Sequence, residues 1–306
     1  MNKSNNFLRY VAVISLFGVI GFVFGAINTS PTLANTASQP ASVSSTLKTN
    51  LYDFSDVTLT GKAAYVFDIA NNESIFGKNQ ESQLPLASIT KVGVALLAYE
   101  HLNSTDQVTI SAKAIATEGE SGFIVGERWD VQNLTDFTLM TSSNDGAVAL
   151  SEAIERSAGT DIVSLLNAQA KKLYLSQTYF VNETGLDSST ASSGTYGSAQ
   201  DVGALFAYAY ETSSEIFAAT AVSEYLFENL DGTVYKASNT NKAIGELPGL
   251  VFGKTGFTDL AGGNLAIVVE SEPGHPFVIV VLGSSVEERF EDATVLVRTI
   301  LRKLTQ

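Results

Sequence analysis

Apolar and polar positions along the chain follow two rhythms. Between Ala63 and Gln80, "AAYVFDIANNESIFGKNQ", short apolar runs flank Asn71-Asn72, the pattern of two strands joined by a hairpin turn. After Ala87 the spacing changes. Val92, Ala95, Leu96 and Ala98 populate much of a helix surface, so this helix is expected to be buried on most sides. "DQVTIS" reads as a short strand. Helical periods follow at Ser143–Gly159, which closes on glycine, from Asp161 with Thr160 as its N-cap, and at Ser198–Glu211. Strand character returns in a hairpin around Asp231-Gly232, in "GLVFGKTGF", and in two β-rich runs around Pro273-Gly274. A helix over Val286–Leu304 ends the pattern. The order of strands, helices, strands and a last helix predicts an α+β fold. An antiparallel sheet is flanked by helices, an all-helical subdomain is inserted, and the N- and C-terminal strands share the sheet.

Ahead of this region the pattern is different. Tyr10–Ile27, "YVAVISLFGVIGFVFGAI", has 18 residues without a charge and follows Lys3 and Arg9. At about 1.5 Å per residue such a helix roughly crosses a bilayer core, with the flanking positives held in the cytoplasm. It reads as an uncleaved anchor or, with "TLA" ending at Ala34 as a mediocre cleavage site, as a signal peptide. Both readings put the rest of the chain outside the cytoplasmic membrane. Residues 28–50, rich in Ser, Thr, Ala, Asn and Pro, read as a flexible linker, so the expected division is 1–27, 28–50 and a globular domain at 51–306.

Composition narrows the chemistry. The 306 residues include 45% apolar positions, enough for a sizeable core, and carry a net charge of −14. That charge disfavours nucleic acid, whose phosphates need clustered Lys and Arg. Without cysteine there is no disulfide, thiol catalysis or thiolate-bound metal, and His101 and His275 alone make a histidine metal site unexpected. No cofactor is implied.

Three short motifs then occur in order: Ser88-Ile89-Thr90-Lys91, Ser142-Ser143-Asn144 and Lys254-Thr255-Gly256. Each is weak alone. Ser45 and Lys48 repeat the first spacing in the linker, and Ser4–Asn6 repeats the second in the leader. Together, each on an expected element, they define a chemistry. A serine hydroxyl needs a base to attack at neutral pH. Positions i and i+3 share a helix face, so Lys91 can reach Ser88. Lysine is a base only when neutral, and burial or a second cation such as Lys254 pushes it that way. The helix start at Ser88 also favours developing negative charge, although a serine there can equally be a plain N-cap. Ser142 can relay a proton, Asn144 can hold Lys91 and a substrate amide, and one of Ser142 and Ser143 can cap the following helix. Lys-Thr-Gly on an edge strand lets a substrate peptide pair in β-fashion, with Gly256 leaving the approach open.

The three motifs are shared by penicillin-binding proteins and class A β-lactamases. With "LMTSSNDGAVALSEAI", "YGSAQDVGALFAYAY", "NTN" at Asn239–Asn241 and "GLVFGKTGFTDLAGGNL", the chain from about Ala63 to Arg289 resembles the D-alanyl-D-alanine carboxypeptidase family, the low-molecular-mass penicillin-binding proteins. The resemblance implies an acyl-enzyme on Ser88 formed from peptidoglycan stem peptides, with Lys91 as general base. Backbone N–H groups of Ser88 and Phe257 form the oxyanion hole. Lys254, Thr255 and Arg289 face the substrate carboxylate. β-Lactams are the implied inhibitors.

Departures from the family pattern are Ser143, often glycine, Phe257, sometimes polar, and an end at Gln306 without the second β-rich domain and C-terminal anchor of many relatives. A D,D-endopeptidase of the same family is an alternative. So is a class A-like β-lactamase, in which Glu183 of "ETGLD" activates the deacylating water, although "FVNETGLD" fits the peptidase pattern better.

Overall fold

A computed structural model describes residues 52–303, and the leader, anchor or signal segment and linker expected at 1–50 lie outside the described residues. The apolar runs form a five-stranded antiparallel sheet in the order β10-β11-β12-β1-β2, built from Leu250–Thr258, Gly262–Glu270, Pro276–Ser284, Ala63–Asp68 and Glu73–Lys78. The N-terminal strand β1 pairs with β12, from Ala63 opposite Leu282 to Asp68 opposite Phe277. The first and last strands of the described residues therefore share one sheet, as the pattern predicts.

Side chains alternate between the two sheet faces, and both faces are covered. On one, Tyr65, Val268, Val278, Val280 and Leu282 join the insertion's core. On the other, Val66, Ile267, Ile279 and Val281 pack with Ala293, Leu296, Val297 and Ile300 of the last helix, Glu288–Lys303. This double coverage makes the strands continuous apolar runs instead of alternating ones.

The insertion between β2 and β10 has six helices: α1 (Thr90–His101), α2 (Ala112–Ile115), α3 (Val131–Thr141), α4 (Asn144–Ala158), α5 (Ile162–Lys172) and α6 (Ala199–Ser213). The helix that closes the chain is α7. Helices make the insertion's core, and three small antiparallel sheets sit at its rim. They are β3-β7-β6 (Leu84–Pro85, Thr195–Gly197, Tyr179–Phe180), β4-β5 (Gln107–Thr109, Arg128–Asp130) and β8-β9 (Glu224–Glu228, Val234–Ser238). The α5 N-cap is Asp161, not Thr160. Its carboxylate accepts from Ser164 N–H and complements the helix dipole better than a neutral hydroxyl. Helix α1 is buried from Thr90 to Ala98, which places it as the axle of the insertion. No helix of the described residues is long and apolar enough to cross a membrane.

Candidate active site

Ser88 lies in a 3-10 turn, Ala87–Ile89, that runs directly into α1. The expected capping role is not what the structure has. The N-cap position is Ile89, already in helical conformation, and no side chain caps there, because the 3-10 turn leaves no extended residue before the helix. Ser88 is partly exposed between buried neighbours, and Ala87 before it has φ +50°, an uncommon value for a residue with a side chain. The loop at Gly185 holds this turn. A Cβ added there would lie 2.0 Å from the Ala87 carbonyl oxygen, and the glycine itself has φ +79°.

Lys91 is 1% exposed. Its Nζ lies 2.9 Å from Ser88 Oγ, 2.6 Å from Asn144 Oδ1 and 2.8 Å from the Thr184 carbonyl oxygen. Burial lowers its pKa to about 7, against the opposing charges of Asp145 and Glu183. The two oxygens of Asn144 and Thr184 can only accept. A neutral amine with two hydrogens therefore donates to both and turns its lone pair to the Ser88 hydroxyl.

Ser142 ends α3 in the left-handed region, φ +64°, and this reversal separates the two serines of the motif. Ser143 caps α4 through Gly146 N–H at 2.8 Å, while the Ser142 hydroxyl accepts from Lys254 Nζ at 2.8 Å. One serine caps and the other meets the second lysine. Lys254 is 2% exposed and also donates to the Thr255 carbonyl at 2.9 Å. Its pKa is driven well below the usual lysine range by burial first, then by the positive charges of Lys91 and Arg289. The two buried lysines repel each other's charge, so each favours the neutral form of the other.

Strand β10, which carries Lys254, Thr255, Gly256 and Phe257, is one of the sheet's two edge strands. Thr255 Oγ1 lies 2.6 Å from Thr240 Oγ1, in the "NTN" stretch. Gly256 packs on the turn that carries Ser88. An added Cβ would be 2.7 Å from the Leu86 carbonyl oxygen and 3.3 Å from Ser88 N, both backbone. Gly256→Ala is therefore expected to cost roughly 1–3 kcal/mol and to slow acylation by penicillin at least about tenfold, because the strand must move off the turn. A melting curve and a labelling time course check this, and an unchanged labelling rate refutes it.

Phe257 is 51% exposed. Arg289, on α7, is buried at 6% exposure. Its Nη1 donates to the Gly256 carbonyl at 2.7 Å, and its Nε has no hydrogen-bond partner among the described residues.

The motifs do not identify three contributors. The Thr184 carbonyl is a main-chain group and leaves no residue signature. Thr240 stands in a recognised stretch without a stated role. Asp145 directly follows Asn144, and its burial carried no signal. For Glu183, the contact with Lys91 comes from the neighbouring Thr184 carbonyl, and the Glu183 carboxylate has no hydrogen bond or ion pair among the described residues.

The sheet order and helical insertion are those of the penicillin-binding-protein fold. The solved structure of penicillin-binding protein D2 from Listeria monocytogenes, in its ampicillin-bound form, matches with TM-score 0.66 and 28% identity, covering 80% of this chain and 98% of that one. The sequence profile described as Peptidase S11, D-alanyl-D-alanine carboxypeptidase, matches residues 50–286, and the chain belongs to this family. It is 30% identical over 238 residues to D-alanyl-D-alanine carboxypeptidase DacF of Bacillus subtilis, covering 76% of this chain and 59% of that protein. It is 28% identical over 251 residues to DacC of Escherichia coli, covering 77% and 60%. The chain thus spans about 60% of the length of these curated relatives.

Proposed function

We propose that the protein is a serine D-alanyl-D-alanine carboxypeptidase that trims peptidoglycan stem peptides through an acyl-enzyme on Ser88. The carrying observation is the geometry at Lys91, whose neutral amine has the Ser88 hydroxyl as the one partner able to donate to it. Lys91 takes the Ser88 proton as Oγ attacks the carbonyl of the penultimate D-alanine. The oxyanion is held by the backbone N–H groups of Ser88 and Phe257. As the C–N bond breaks, Lys91 returns that proton through Ser142 to the departing amine, and water then hydrolyses the ester, its proton restoring the Ser88 hydroxyl. Asn144 holds Lys91 and the substrate amide.

Lys254, Thr255 and Arg289 receive the terminal carboxylate, and the free edge of β10, with Gly256, receives the peptide backbone. A β-lactam opens its ring on Ser88 by the same attack and blocks the site. The domain at 51–306 works outside the cytoplasmic membrane, joined by the linker 28–50 to the apolar segment 10–27.

The test is to incubate the protein with intact pentapeptide and with cross-linked muropeptides and to weigh the products. Loss of one D-alanine from the pentapeptide is expected. Cleavage of the cross-link alone would replace this reading with a D,D-endopeptidase, and turnover of penicillin that Glu183→Gln abolishes would replace it with a β-lactamase.

A further inference from the structure

Asp145 lies directly behind Asn144 in the first turn of α4 and is 2% exposed. Its Oδ1 is 2.6 Å from Ser121 Oγ and 3.0 Å from Gly146 N, and it accepts a short bond from Ser143 Oγ; its Oδ2 accepts from Ser121 N at 3.1 Å. Ser121 Oγ is also 2.8 Å from Ser143 Oγ. Hydroxyl and amide donors satisfy the carboxylate, and no cation touches it among the described residues. A buried carboxylate without a touching cation is an expensive feature, so its place in the site calls for a reason.

The bonds lead back to the candidate base. Asp145 pins Ser121 and so holds the segment 118–121. From that segment the Glu118 carbonyl accepts from Asn144 Nδ2 at 2.8 Å. With Nδ2 committed, the other end of the amide, Oδ1, faces Lys91 Nζ at 2.6 Å. Gly119 lies against the same amide, where an added Cβ would be 2.9 Å from Nδ2.

We propose that Asp145 is a positioning residue for acylation: it pins segment 118–121, through that segment it orients the Asn144 amide, and it supplies a fixed negative charge opposing the buried Lys91. This rests on the reading of Lys91 as the base.

The charges that act around Lys91 come from three of the segments that surround it. They are Asp145 on α4, Glu183 on the loop after β6, and Lys254 on β10 with Arg289 behind it. Asp145 is the larger of the two anionic influences that favour protonated Lys91. The Asp145 charge also acts on Tyr235 of β9, whose hydroxyl bonds the Glu127 carboxylate at 2.7 Å. Removing the Asp145 charge makes Lys91 give up its proton more readily. The acid limb of the acylation profile then moves to lower pH, while the lost pin lowers the plateau.

The test measures acylation of the full chain by a fluorescent penicillin from pH 5 to pH 9. Asp145→Asn is expected to lower the plateau about tenfold or more, and to raise the pH 6 rate as a fraction of its own plateau roughly threefold. Ser121→Ala keeps the charge, so its plateau falls at least about threefold and that fraction stays at the wild-type value. A helix-capping role alone would lower plateaus without moving the limb, so an unmoved Asp145→Asn limb overturns the proposal.

If Asp145→Asn melts below the assay temperature, Ser121→Ala decides. An unchanged plateau together with unchanged hydrogen exchange at 118–121 overturns it as well. A wild-type rate that does not rise with pH would instead remove the reading of Lys91 as base, and this proposal with it.

Discussion

Ser88→Ala is expected to take no label from fluorescent penicillin and to release no D-alanine, a loss of at least about 10⁴-fold in acylation. The fold should survive, because among the described residues the hydroxyl bonds Lys91 alone and the side chain is only partly buried. A melting temperature within a few degrees of wild type establishes that the loss is chemical. The alternative nucleophile is Ser142, whose hydroxyl lies 2.8 Å from Lys254 Nζ. Labelling that persists in Ser88→Ala and disappears in Ser142→Ala would move the acyl-enzyme to the second serine and reverse the roles of the two lysines.

Lys91→Met is the other large effect, a loss of roughly 10⁴-fold. Methionine fills the buried channel but cannot take the proton. The pH dependence gives this prediction its sign. Only neutral Lys91 is a base, and its pKa is about 7, so wild-type acylation should rise with pH up to about 7 and then level. One unit below that value the rate falls about tenfold. Lys91→Met should show no such limb. A residual rate with the wild-type limb would mean that another group, Lys254 first among them, sets the profile.

The elements that were legible in the sequence are those whose apolar pattern is long or whose turn is distinctive. Strands β10 to β12, the hairpin at Asn71-Asn72 and helix α4 with its terminal Gly159 are of this kind. Helix α3 leaves only a weak mark in the sequence. Its N-cap Asp130 and the buried Leu134, Phe137 and Met140 were available, but the intervening Thr and Asn residues dilute the period. Strands β3, β6 and β7 leave no signal in the sequence because two or three residues carry no period at all.

In the site, the spacing of Ser88 and Lys91 and the division of labour between Ser142 and Ser143 follow from helix geometry. The Thr184 carbonyl, the Thr240 hydroxyl on Thr255 and the buried Asp145 are contacts across the fold, more than 14 positions from their partners in the first two cases. They belong to tertiary packing, and local pattern does not encode them.

Burial of Lys91 also has a cost at the level of the whole fold. In the unfolded chain this lysine binds its proton with the ordinary pKa of 10.5, and in the fold with one of about 7. The unfolded state therefore binds more protons between those values, and the group's contribution to stability becomes less unfavourable as pH rises. Below about pH 7 the penalty is complete, on the order of 4–5 kcal/mol. Unfolding curves of wild type and Lys91→Met should thus differ in their slope against pH, with wild type recovering relative to the variant up to about pH 10.5. The side chain that makes the serine reactive sets acylating power against resistance to unfolding, and the organism's working pH decides how that conflict is resolved.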